Sequence, residues 1–98
     1  MDVRPVDPRD TEWEICQPVF RVYFWEPNPL PPGIPEESAG YRSTEFEVSG
    51  VDVGEVLAWA ETNAPSGATF TVYTVVEQGS RRGLVRLAGV DPTAAQAP

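Results

Sequence analysis

Glu45 and Glu47 are the pair in this chain whose type and spacing come nearest to a catalytic arrangement. Two residues apart in an extended segment, they share a side and stand about 6.5–7 Å apart along it. A glycosidase-type pair of carboxylates has comparable spacing. Same-face glutamates are also ordinary on the wet side of any sheet. The rest of the catalytic toolkit is thin. The chain has no histidine and no lysine, its seven basic residues are all arginine, and Cys16 is its only cysteine. Without imidazole there is no Ser-His-Asp or Cys-His pair and no nitrogen ligand for a metal. Without lysine there is no Schiff base and no P-loop ammonium.

The thiol adds little. Glu14 and Gln17 give Cys16 no positive charge to stabilise a thiolate, and its place between Ile15 and Val19 reads as a small buried core position. Carboxylates alone make at best a loose site for a hard cation, and no EF-hand loop is present. No metal and no cofactor is therefore expected. Arg81, Arg82 and Arg86 form a cluster beside Gly and Ser that could hold a phosphate or carboxylate bidentately, or simply be solvated. Between Ser43 and Ser80 there is no basic residue but six carboxylates, so charge is segregated along the chain.

Length and charge bound the rest. Ninety-eight residues with 41% hydrophobic content suit one small domain with one core. A net charge of −8 argues against nucleic acid, where a basic surface supplies most of the affinity, and against anionic membranes. It fits a soluble protein, or one steered towards a basic partner. No stretch approaches the ~20 apolar residues of a membrane span, and the N-terminus lacks the pattern of a secretory signal. A cytoplasmic location is expected.

These side chains need elements to position them. Val19–Glu26 (VFRVYFWE) is the strongest strand, and Trp13–Gln17 before it reads as an extension with Pro18 at a bulge or edge. Pro27–Gly40 holds five of the eleven prolines and is a long surface loop. Leu30 and Ile34 would pin that loop to the sheet and build a groove lined by Trp25 and Tyr41. Tyr41–Ser49 alternates as a half-buried strand, with Thr44, Phe46 and Val48 on one side. Asp52–Ala64 is a helix with Asp52 and Glu55 as a capping box and Val53, Val56, Leu57, Ala60 and Ala64 on one face. Trp59 belongs at the margin of that face. Thr69–Glu77 is a strand, Gln78–Gly83 a turn, and Leu84–Val90 a closing strand.

The expected fold is α+β: a mostly antiparallel four-stranded sheet with one helix packed on one face, in the order β-β-α-β-β. Residues 11–90 would form the domain, between disordered tails at 1–10 and 91–98. Phe20, Val22, Phe24, Phe70, Val72, Thr74, Val76, Val85 and Leu87 then point towards the helix. Alternation sends Arg21, Tyr23, Trp25, Tyr73 and Arg86 to the opposite face, with Glu45 and Glu47 beside them. A four-stranded sheet with so aromatic an outer face implies an interaction surface, or a cover supplied by the Pro-rich loop, the N-terminal segment or a second subunit. The functional expectation is a small acidic interaction or regulatory protein, with binding favoured over catalysis, that engages a protein partner or itself through this face and the Pro-rich loop. The alternative is a small-molecule binder or enzyme with a pocket between the loop, Trp25 and the sheet, using Glu45, Glu47 and Arg21.

Overall fold

A computed structural model describes residues 1–35 and 40–93. It contains strands β1 (Phe20–Pro27) and β2 (Tyr41–Val48), helix α1 (Val53–Asn63), and strands β3 (Thr69–Gln78) and β4 (Arg81–Gly89), after a short 3-10 turn at Pro8–Asp10. The fold is α+β, a four-stranded open sheet of order β2-β1-β3-β4 in which every neighbouring pair is antiparallel. Because β2 and β3 both oppose β1, they run in the same sense, and the connection through α1 crosses over β1. The segment richest in β-branched and aromatic residues thus takes a central place, where both faces can be covered.

Phe20, Val22 and Phe24 of β1 meet Val72 of β3 beneath Val56 and Ala60 of α1, and these six form the buried core. Val56 and Ala60 are one helical turn apart, so a single stripe of α1 closes on the sheet. Its start is fixed by Asp52, whose backbone N–H donates to the Glu55 carboxylate at 3.5 Å, the reciprocal arm of a capping box. At the other end the Ala64 N–H bonds to the Ala60 carbonyl before Pro65 stops the helix. Trp59 sits at the margin, its ring 5.8 Å from Phe24 and 5.5 Å from Phe46. Val53 and Leu57 are less enclosed than the helical periodicity implies: Val53 is exposed and Leu57 half-buried against the core. The eleven-residue helix is too narrow to press both flanks of its apolar stripe onto the sheet.

Four expectations are corrected. The β3–β4 turn is only Gly79-Ser80, with Gln78 opposite Arg81, so Arg81–Gly83 belong to the strand. Gly79 has φ +61° and no left-handed residue follows it, the pattern of a type II′ hairpin turn. Val85 and Leu87 are not core residues. A bulge between Val72 and Tyr73 shifts the register so that Ala88, not Leu87, lies opposite Val72 and packs against the core, while α1 lies mainly over β1 and β3. Val85 and Leu87 are accordingly 50% and 42% exposed. Trp13–Gln17 does not extend β1, and Cys16 is exposed. The ladder ends at Val19, whose carbonyl accepts from the Val75 N–H at 2.9 Å and the Thr74 hydroxyl at 3.1 Å. Beyond it Pro18 has no N–H to continue the pairing.

The neck of the Pro-rich loop is closed by a hydrogen bond from the Asn28 N–H to the Gly40 carbonyl. Leu30 is half-buried and Ile34 exposed, while residues 36–39 of this loop and 94–98 of the expected C-terminal tail lie outside the described residues. Residues 1–10 are exposed; Asp7 caps the short turn by accepting from the Arg9 backbone N–H, and the Arg9 guanidinium, bidentate on the same carboxylate, lowers the Asp7 pKa. No described helix is long and apolar enough to cross a membrane.

Candidate interaction surface

The sheet face opposite α1 is a ladder of cross-strand rows. Register places Glu47, Arg21, Tyr73 and Arg86 in one row, Glu45, Tyr23, Thr71 and Gly89 in the next, and Ser43, Trp25 and Thr69 in a third. All five residues expected on the outer face, Arg21, Tyr23, Trp25, Tyr73 and Arg86, stand there. Their environments differ. Tyr23 and Tyr73 are half-buried and meet edge to face, with ring centroids 5.1 Å apart. The Arg21 guanidinium donates to Glu47 at 3.2 Å, and the Arg86 guanidinium to the Gly89 carbonyl at 2.8 Å.

Trp25 is not an open aromatic. It is 6% exposed, with its indole N–H donating to the Thr71 hydroxyl at 2.9 Å in a buried site. The Tyr23 ring lies 5.8 Å from it on the same face, and the chain leaving β4 passes nearby. Gly89, at φ +82°, approaches β3 so closely that a Cβ there would collide with the Phe70 carbonyl oxygen. Val90 and Pro92 beyond it line, with Trp25, Tyr41, Pro27 and Phe70, a hollow of about 530 Å3. A groove with Trp25 and Tyr41 in its wall therefore exists, but its other walls come from the ends of β3 and β4 and not from Leu30 or Ile34.

Burial raises the pKa of the Tyr73 phenol above its ordinary value. Asp91 and Tyr23 add to that effect, while a hydrogen bond to Thr71 and the charge of Arg86 oppose it. Tyr73 is thus a neutral hydroxyl throughout the physiological range, able both to donate and to accept.

At the opposite end of the face lies a groove of about 440 Å3, walled by Trp13, Ile15 and Val19 on one side and by Val75, Glu77 and Arg82 on the other. Trp13 and Ile15 are 66% and 47% exposed, which leaves the groove open. Sequence reasoning did not assign these residues to the surface, although the alternation of apolar and acidic residues from Thr11 to Ile15 is a legible signal of an extended, two-sided segment. Two ion pairs, Arg21 with Glu47 and Arg82 with Glu77 at 2.9 Å, rim it.

The other candidate chemistries are dispersed by the register. Glu45 and Glu47 do share the outer face, yet Glu47 is engaged by Arg21 and Glu45 by the Ser43 hydroxyl at 2.7 Å. Arg82 and Arg86 are outside, while Arg81 points to the helix side, so the three arginines do not converge. Among the described residues no group of three or more acidic or thiol side chains is close enough together to hold a metal ion. Compared with protein-family models, curated proteins and solved structures, the chain shows no significant match to any of them.

Proposed function

We propose that this protein is a binding module that engages a protein partner through the outer sheet face. The observation that carries the reading is the combination of half-open aromatics and local charge balance there. Arg21, Arg82 and Arg86 stand against Glu45, Glu47 and Glu77 on the strands of this face, whereas the whole chain carries −8. A surface that is apolar at its centre, rimmed by paired charges and free of the chain's general repulsion has the anatomy of a protein interface. The rim pairs are exposed and contribute little to folding, so their value lies in orientation.

The test is the double variant Tyr23→Ser/Tyr73→Ser, measured for folding by circular dichroism and for binding to a partner isolated from the native cell. Aromatics dominate affinity once desolvated. The expected result is a folded protein whose affinity falls at least about a hundredfold. A folded variant that binds as tightly as the wild type contradicts the reading.

A second reading rests on the hollow beside Trp25 and Tyr41. Its lining is apolar apart from the Tyr41 and Thr69 hydroxyls, which suits a small aromatic ligand. Quenching of tryptophan fluorescence on titration, lost in Tyr41→Ala, would support it.

A further inference from the structure

We propose that the segment Asp10–Ile15 of one copy adds as a fifth strand to the β4 edge of a second copy, and that two chains exchanging this segment close as a two-fold dimer. The contact is the backbone of the sheet edge and not the tyrosine pair; it shares Arg82 and Arg86 with the outer face, and the tyrosine double variant separates the two.

β4 is an outer strand of the sheet and all of Arg81–Leu87 is exposed. An edge strand turns alternate N–H and C=O groups outward and is a template for another strand unless something blunts it. Here the edge is nine residues long and leaves Leu84, Val85 and Leu87 39%, 50% and 42% exposed. It carries three arginines and no carboxylate in a chain of net charge −8. A strand that fits it should be acidic on one side and apolar on the other.

Asp10–Ile15 has that pattern. Asp10, Glu12 and Glu14 fall on one side of an extended segment and Thr11, Trp13 and Ile15 on the other. Trp13 and Ile15 are largely exposed, and the backbone from Glu12 to Pro18 makes no hydrogen bond with any described residue. A segment with strand periodicity and unpaired backbone thus coexists with an unpaired edge of opposite charge.

One antiparallel register satisfies both faces together. With Trp13 opposite Val85, Glu12 lies opposite Arg86, and Glu14 lies opposite Leu84 with Arg82 and Arg86 as its diagonal neighbours. Ile15 then covers Gly83, where β4 has no side chain. Arg82, Leu84 and Arg86 are on the outer face, and Gly83 and Val85 on the helix face. A slip of one residue in one direction places Glu14 over Val85 and Trp13 over Arg86, and in the other places Glu12 over Val85 and Ile15 over Arg82, so each slip sets a carboxylate on an apolar residue and an apolar residue on an arginine. Each copy offers one segment and one edge, so two copies that exchange segments reciprocally leave neither unpaired, whereas one-way addition would leave one of each open.

The test is the solution mass of the full chain, by analytical ultracentrifugation, for the wild type and two charge-reversed variants. Glu12→Arg/Glu14→Arg alters the segment, outside the core, and Arg82→Glu/Arg86→Glu alters the edge, where it also removes the exposed bonds of Arg82 to Glu77 and of Arg86 to the Gly89 carbonyl, so circular dichroism accompanies it as a check of folding. The expected wild type is a dimer, and each variant alone should dimerise about tenfold or more weakly, because like charges then face each other. Mixing the two variants should restore a dimer, since both exchanged strands are complementary again. Tyr23→Ser/Tyr73→Ser should keep the dimer, which separates this proposal from the functional reading. A monomeric wild type, a dimer insensitive to both reversals, or a mixture that stays monomeric would each overturn the proposal. Docking of the segment onto its own chain would give the first of these.

Discussion

The indole N–H of Trp25 has a buried partner in the Thr71 hydroxyl at 2.9 Å, and neither group can reach water instead. A buried donor left without an acceptor keeps its full desolvation cost. Thr71→Val preserves the shape of the side chain and removes only the acceptor, so chemical denaturation should show a loss of about 1–3 kcal/mol. Adding Trp25→Phe should then cost less than the sum of the two single changes, because the unsatisfied donor is gone. Tyr73 gives a pH test. Its pKa is raised in the folded chain above 10.0, so the folded state keeps a proton that the unfolded state loses. That contribution is complete below pH 10 and is lost as pH rises through the folded value. Melting temperature should therefore fall on the alkaline side of pH 10, less steeply in Tyr73→Phe, and absorbance should show one tyrosine ionising after the others. Strand alternation alone placed Trp25 and Tyr73 on the outer face. The burial of Trp25 was not legible, because it depends on cross-strand contacts with Thr71 and Tyr23 and on the close approach of Gly89 to β3, which no periodicity encodes.

At the scale of elements, β2, α1 and β3 fall within a residue or two of the bounds read from alternation, capping and Pro or Gly stops. Each is marked locally: Gly50 ends β2, Asp52 opens α1 and Pro65 follows it. β4 starts three residues earlier than composition implies, at Arg81 and not Leu84, and ends within a residue of the expected bound. The run Gln78–Gly83 is polar and glycine-rich, but an exposed edge strand tolerates such residues, so composition could not separate turn from strand. The bulge that displaces Leu87 is likewise a pairing property and not a local one. Gly89 carries the consequence. Its φ of +82° and its closeness to Phe70 both exclude a side chain, so Gly89→Ala should lower stability by about 2–4 kcal/mol. It should also raise the exposure of Trp25, seen as a red-shifted tryptophan emission. Unchanged stability and emission would mean that the end of β4 does not hold this turn.

For the whole molecule, the two faces of the sheet divide the labour. The helix side supplies the small core of Val22, Val56, Ala60 and Val72 with the phenylalanines around it, and the outer side keeps paired charges and half-open tyrosines. The face that a partner would use was legible from period-two alternation, whereas the grooves at its two ends were not, because each is completed by residues outside the strands, Trp13 and Ile15 at one end and Val90 and Pro92 at the other. The most direct measurement of the role assigned to the outer face is site-resolved photo-crosslinking in the native cell. A photoreactive residue is placed one position at a time at Arg21, Tyr73 and Leu84 on the outer face, and at Ala58 and Glu61 on the exposed side of α1. The expected result is one recurrent protein adduct from the outer-face positions and only background from the helix. Adducts that arise chiefly from Ala58 and Glu61, or equally from both sides, would contradict the assignment of the interface to the outer sheet face.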